Sequence, residues 1–202
     1  MEKEASTKKE KSLESRTRVN TDRLSSDVLR ERIRLFEKDS ATVREICNVS
    51  KIILEHRDGT FFEDLAFIDS IRHKSRVNTD YDFYDEASGT SACKPNKPMM
   101  DLLSDAGRDV IIAVHNHPQS SVLSIDDINR FVERGYKYAI VLCHDGTIFR
   151  YEVEASYSPK RGYLVLAQLD KLYKSLYNKD NEKMNSALNN LKEKGVIVEV
   201  IA

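Results

Sequence analysis

What this chain of 202 residues lacks closes several classes of function. It has no run of about 18 apolar residues, so no transmembrane helix is expected. Its opening stretch, MEKEASTKKEKSLESR, has no apolar h-region, so no signal peptide is expected. Cysteine is scarce: Cys47, Cys93 and Cys143 stand far apart, an odd number with no C-x-x-C pair. That spacing argues against a disulfide framework and against a cysteine zinc site. Positive charge is not in excess either. Thirty-two Lys and Arg face 33 Asp and Glu, for a formal net charge of -1. No global basic field therefore points to nucleic acid, and no basic, aromatic-interleaved patch is evident. A reduced, cytoplasmic setting and no membrane partner are the expectation.

Hydrophobic residues make up 40% and charged residues 32%, enough for one core under a charged periphery. The length favours one domain with appendages. Residues 1–23 are charged and poor in apolar side chains, which predicts disorder or a loose helix. Residues 24–55 carry helical periodicity, with Leu29, Ile33 and Phe36 before a break at Asp39-Ser40. Val43, Ile46 and Ile53 follow it. Asp58-Gly59 is a turn signal. FFEDLAFID, Phe61 to Asp69, reads as the lead-in to a strand and the strand itself.

Residues 70–98 are polar, with one short strand expected at YDFY. A short helix over Met99 to Ala106 follows Pro98. Val110 to His115 reads as a buried strand, and Ser124 to about Glu133 as a helix. Tyr138–Cys143 and Thr147–Val153 read as strands joined by a hairpin turn at His144-Asp-Gly146. Val165, Leu169, Leu172 and Leu176 mark an amphipathic helix. A charged helix over 181–194 and a last strand, Val196–Ile201, complete the chain. The pentapeptide RVNTD occurs at 18–22 and again at 76–80, but the flanks do not match and no repeat architecture follows.

The stretch HNHPQSSVLSIDD, His115 to Asp127, carries the chemistry. Residues i and i+2 of a strand share a face, so His115 and His117 present two imidazoles side by side. Pro118 cannot donate to a sheet ladder and turns the chain away. Ser124 can cap the next helix, with Asp127 in its first turn as a near capping box. Two neutral histidines and one carboxylate make a three-ligand zinc site with a fourth position open, the pattern of catalytic rather than structural zinc. Hydrolysis also needs a base to move the proton. Glu63, at the start of the FFEDLAFID strand, is the candidate, ahead of Glu55 at a helix end and Glu86 in a polar loop. Ser124 can hydrogen-bond the oxyanion of an attacked carbonyl. Capping alone would explain Ser124 and Asp127, but it does not explain the paired histidines. His144 reads as a turn residue, His56 and His73 as surface histidines, and Cys93 as an ordinary thiol or a switch near the metal.

H-x-H-P, then Ser-x-x-Asp, with a glutamate far upstream, resembles the motif of the JAMM (JAB, MPN+) zinc metallopeptidases. VHNHP is most similar to their bacterial RadC-like branch. The resemblance spans roughly residues 50–155. It implies an α/β fold like that of cytidine deaminases, a mixed β-sheet flanked by helices, over residues 56–158. N-terminal helices (24–55) and a C-terminal helical extension with a terminal strand (159–202) would lie outside it. It implies Zn2+ on His115, His117 and Asp127, Glu63 as acid/base through a zinc-bound water, and Ser124 stabilising the tetrahedral intermediate. The substrate would be a peptide or a ubiquitin-like protein conjugate.

The chain departs from the family in one respect. Nine residues, Pro118 to Asp126, separate His117 from Asp127, one fewer than the commonest family spacing. Asp126 is therefore the fallback ligand. Two other readings stand beside hydrolysis. One is a non-catalytic MPN-like interaction module, against which the complete ligand set counts. The other is a RadC-like, DNA-associated role, against which the net charge counts. A zinc nucleoside deaminase would show H-x-E and P-C-x-x-C, and neither is present.

Overall fold

The computed structural model describes residues 17–201. Three helices come first: α1 (Thr21–Leu24), α2 (Ser26–Ile33) and α3 (Ser40–Arg57). Helix α3 starts where Asp39 accepts the Thr42 N–H at 2.7 Å, the side-chain cap that the Asp-Ser break suggested. Strands β1 (Leu65–Asp69), β2 (Lys74–Asn78), β3 (Tyr84–Asp85) and β4 (Thr90–Ser91) follow, then α4 (Lys97–Ala106), β5 (Ile111–His117) and α5 (Ile125–Arg134). The chain ends with β6 (Tyr138–Cys143), β7 (Ile148–Val153), a 3-10 turn, α6 (Gly162–Tyr177), α7 (Asn181–Lys192) and β8 (Val196–Ile201).

Six strands form one mixed sheet in the order β2-β1-β5-β6-β7-β8, with β5 and β6 as its parallel pair. A parallel pair needs a crossover, and α5 supplies it. Helix α5 can stop sharply because Gly135 adopts a left-handed φ of 65° and donates its N–H to Phe131 O. A Cβ at Gly135 would also lie 2.8 Å from the Arg108 guanidinium.

Helices cover both sheet faces, so the architecture is the expected mixed sheet flanked by helices. On one face Leu29, Ile33, Ile46 and Ile53 pack on Ala66, Ile68, Ile112, Val114 and Ile140. On the other, Ile128, Phe131, Val165, Leu169, Leu172 and Leu191 pack on Phe67, Ile111, Ala113 and Val141. Strand β5 is buried on both faces, so its sequence is apolar throughout. Each such aliphatic or Phe side chain contributes about 1.5–3 kcal/mol by leaving water.

Residues 24–55 and 159–202, which lie outside the span implied by the resemblance, pack on the same sheet as residues 56–158. The first supplies one of the two covering layers. The second supplies much of the other, plus strand β8 paired to β7. The terminal segments look separable in sequence because each shows only its own amphipathic stripe. What the stripe packs against lies on strands elsewhere in the chain, such as Ile112 and Val114 for the first segment and Val141 for the second.

Disorder, one of the two expectations over 1–23, does not extend through its described part. Thr17 is buried, Asn20 donates its N–H to His144 O at 2.7 Å, and Val19 N–H donates to Asp58. Backbone hydrogen bonds, invisible to composition, hold this polar segment. Residues 1–16 lie outside the described residues.

Strand β2 was not expected. It is a half-exposed edge strand, KSRVN, whose lone Val77 gives no apolar alternation. YDFY contributes only Tyr84 to a two-stranded ribbon with β4. Among the described residues, no helix is long and apolar enough to cross a membrane.

Candidate metal centre

The sheet register assembles the site. Strand β1 runs antiparallel to β5 with Leu65 opposite His115. Directly opposed residues share a sheet face. Continuing the register by two residues puts Glu63 opposite His117 and on the same face. Glu63 and both histidines are buried, and Glu63 Oε1 lies 3.9 Å from His117 Nε2. Leu65, Phe67, Ile111 and Ala113 continue this face inward as hydrophobic core, so the polar cluster closes the end of an apolar layer.

Asp127 arrives from the crossover. Ser124 caps α5 and accepts the Asp127 N–H at 3.2 Å, while Asp127 Oδ2 accepts the Ser124 N–H at 2.7 Å and its O–H at 2.8 Å. This complete capping box, with Asp in the place of the usual Glu, fixes one carboxylate oxygen. It leaves Oδ1 3.4 Å from His115 Nε2. The two Nε2 atoms are 3.1 Å apart, and Asp127 Oδ2 is 3.7 Å from His117 Nε2.

Ligand atoms on a tetrahedral zinc with bonds of about 2.0–2.1 Å stand ~3.3 Å apart. The three residues therefore fit a metal ion by spacing. They also fit by donor chemistry. The His117 Nδ1–H donates to Ser121 O at 2.9 Å, which leaves its Nε2 with a lone pair aimed inward. Such an outer-shell partner fixes the tautomer of a metal-ligating histidine. Two imidazole nitrogens and a carboxylate oxygen thus face one another with at most one proton to share. His115, His117 and Asp127 form a group able to hold a metal ion.

Charge follows the same geometry. Burial pushes the His115 imidazole below its ordinary value and His117 adds to this, while Asp127 and Glu63 oppose it. Burial alone would raise the Asp127 carboxyl, but His115, His117 and the Ser124 donors outweigh it and hold it below the usual range. The result is neutral imidazole beside carboxylate, the protonation states that ligation requires.

Beside the ligands opens a cleft of about 440 Å³ lined by Glu63, Ser91, Cys93, Ser124 and Asp126 among others. The Ser91 hydroxyl, on β4, donates to Glu63 Oε1 at 2.6 Å. Four of the expected site residues, Glu63, His115, His117 and Asp127, meet here. Ser124 is present too, but its hydroxyl proton goes to Asp127. That bond holds the Asp127 carboxylate in place beside the histidines.

The competitors do not converge. Glu55 is exposed and sits 3.7 Å from Lys51 on α3, and Glu86 is exposed in the β3–β4 turn. Asp126 is exposed and outside the ligand group. Burial pushes the Cys93 thiol well up, and Glu63 and Asp127 push it further, so it remains a protonated thiol. His144 does sit in the β6–β7 hairpin, but it is fully buried and hydrogen-bonded. His56 is partly exposed, yet its Nδ1 lies 2.8 Å from the buried Asp64 carboxylate.

Sequence reasoning missed Ser91, whose short polar strand carries no pattern. It also missed Asn116 and Asp64, although the period-2 alternation that paired the histidines puts both on the opposite face. Comparison with protein-family models, curated proteins and solved structures found no match.

Proposed function

We propose that this protein is a zinc-dependent hydrolase of the JAMM type, cleaving a peptide or isopeptide bond, with ubiquitin-like conjugates in the substrate class. The cytidine-deaminase-like variant of the mixed α/β fold belongs to the same reading. The observation that carries it is the convergence of His115, His117 and Asp127 with a buried carboxylate, Glu63, 3.9 Å from the nearest imidazole nitrogen. Structural zinc sites are usually closed by four protein ligands. Three ligands beside a cleft, with a further acid/base group at its wall, suit catalysis better.

His115, His117 and Asp127 would hold the ion. When bound, zinc supplies a Lewis acid and brings the pKa of a coordinated water to about 7. Glu63 then serves as the proton carrier, accepting a proton from the attacking water and delivering it to the leaving nitrogen. Ser91 donates to Glu63 Oε1, the oxygen nearest His117 Nε2, and so holds the carboxylate beside the histidines. Ser124 keeps Asp127 aimed at the histidines. The apolar layer beneath excludes water from behind the ligands and strengthens the electrostatics in front.

The test is elemental analysis of the purified protein, H117A and E63Q, with hydrolysis followed on a panel of peptides and isopeptides. About one zinc per chain is expected, lost in H117A and retained in E63Q. Turnover should fall by roughly 10² or more in E63Q. Full zinc retention by H117A would overturn the ligand assignment, and unchanged turnover in E63Q would move the base elsewhere. A protein that takes up no metal would instead be an MPN-like interaction module.

A further inference from the structure

Asn116 lies between the two candidate ligands in sequence but on the other face of β5, and it is fully buried. The β1–β5 ladder stops at the Leu65–His115 pair, so the backbone just before Leu65 needs other partners. Asn116 supplies them. Its Oδ1 accepts the Asp64 N–H at 2.8 Å, and its Nδ2 donates to Phe62 O at 3.2 Å. The two bonds grip the peptide groups on either side of Glu63. They also fix which way the amide points, because an N–H needs the oxygen and a carbonyl needs the nitrogen.

The second Nδ2 proton goes to His144 Nε2 at 3.0 Å, and the His144 Nδ1–H donates to Thr17 O at 2.5 Å. His144 is thereby held as a single neutral tautomer. Both Asn116 and His144 are fully buried and fully used.

We infer that Asn116 is a positioning residue that fixes Glu63 against the metal ligands, and that His144 keys this position to the N-terminal segment at Thr17. The role given to Glu63 rests on the hydrolase reading above, but the place where Glu63 is held does not. A side chain that carries a proton between two atoms must sit within hydrogen-bond reach of both, and small displacements cost rate steeply. Glu63 lies before the regular strand, where no ladder hydrogen bonds constrain it. Its backbone precision therefore comes from the Asn116 amide and its side-chain precision from Ser91. Anything that shifts the segment around Thr17 reaches Glu63 through two side chains. This couples the N-terminal segment to the chemistry without contacting the cleft.

The experiment uses zinc-loaded full-length protein, N116A and H144F, the latter keeping a ring of similar shape without its nitrogens. Amide hydrogen exchange, zinc content and steady-state kinetics are measured on each. In N116A the Asp64 N–H should exchange at least about tenfold faster, because its acceptor is gone. Zinc content should stay unchanged, and kcat should fall about tenfold or more with KM within about twofold. H144F should show a smaller rise at Asp64, together with a rise at Gly59, whose N–H donates to Thr17 O at 3.1 Å.

Unchanged exchange at Asp64 in N116A, or faster exchange with unaltered kcat, would overturn the positioning role. H144F with Asp64 exchanging as in the wild type would break the link to Thr17. If N116A does not fold, H144F carries the test. If the wild-type protein turns over no peptide, the hydrolase reading fails alone, and the exchange and metal measurements still decide whether Asn116 holds the Glu63 segment without disturbing the ligands.

Discussion

Two sets of polar groups leave β5 at the same end on opposite faces, and they differ in how completely they are satisfied. On one face His115, His117 and Asp127 turn electron-rich atoms toward each other at 3.1–3.7 Å with too few protons between them. On the other, Asn116, His144, Asp64 and Arg57 match donors to acceptors. Arg57 Nε donates to Asp64 Oδ1 at 2.5 Å, and its Nη1 reaches Asp82 at 2.7 Å. A buried polar group without a partner is costly, so a satisfied network needs no further occupant. Converging acceptors that outnumber the protons between them can take a cation as a further partner. The same strand thus carries a group able to hold a metal ion and a structural lock, told apart by hydrogen-bond accounting and not by residue type, since both contain histidine and aspartate.

The sharpest way to break this contrast is to exchange the neighbouring carboxylates of the ligand face. Asp127 is tied to Ser124 and aimed at His115, whereas Asp126 is exposed. D127N should lose nearly all bound zinc, since an amide is a far weaker ligand than a carboxylate and would present protons to the Ser124 donors. D126N should bind zinc within about twofold of the wild type, as is usual for surface changes. Elemental analysis after dialysis against equal zinc decides. The reverse order would mean that the shortened loop before Ser124 moves the ligand register by one residue.

The lock should behave in the opposite way. Asp64 is fully buried between Arg57 and His56. D64N removes the buried one of the two carboxylates on the Arg57 guanidinium, leaving the exposed Asp82, and breaking a buried pair costs up to roughly 3 kcal/mol. Urea unfolding should show this loss equally with zinc and with chelator, because the pair lies behind the ligands. Zinc should stabilise the wild type by an amount that grows with its concentration, about 2.7 kcal/mol at a hundredfold excess over Kd. It should not stabilise H117A. A D64N penalty that vanished without zinc would merge the two faces into one site.

The two faces were also unequally legible in the sequence. The ligand face could be read because its signals are local. His115 and His117 stand two apart on an apolar strand, Pro118 breaks the ladder, and Ser124 and Asp127 sit three apart at a helix start. Glu63 could be chosen because it opens an apolar strand, and the antiparallel register then brought it opposite His117. The lock could not be read, because Asn116 and His144, which tie it together, meet partners distant in the chain and carry no local pattern. Asn116 meets residues 62 and 64, and His144 meets Thr17. The same reason hid the two helical layers. Periodicity showed that residues 24–55 and 165–176 were amphipathic, but not that both pack on one sheet.

A third contact on the satisfied face, away from the site, gives the smallest predicted effect. Tyr138 donates its hydroxyl to Glu37 Oε2 at 2.7 Å, and the Asp39 N–H donates to Glu37 Oε1 at 3.0 Å. Burial alone would raise the Glu37 carboxyl, but these donors, with Lys137 nearby, outweigh it and hold it below its ordinary value. A carboxyl depressed on folding binds fewer protons in the native than in the unfolded state. Its contribution is therefore complete above the unfolded value of about 4.3. It is lost as the pH falls through the native value. E37Q cannot titrate, so it should cost about 1 kcal/mol near neutrality. The gap to wild type should close on acidification below about pH 4.3. Urea midpoints of the two proteins across this range, in chelator, check it. A gap that widened toward acid would mean that burial wins at Glu37, and that this part of the face is less well satisfied than its hydrogen bonds indicate.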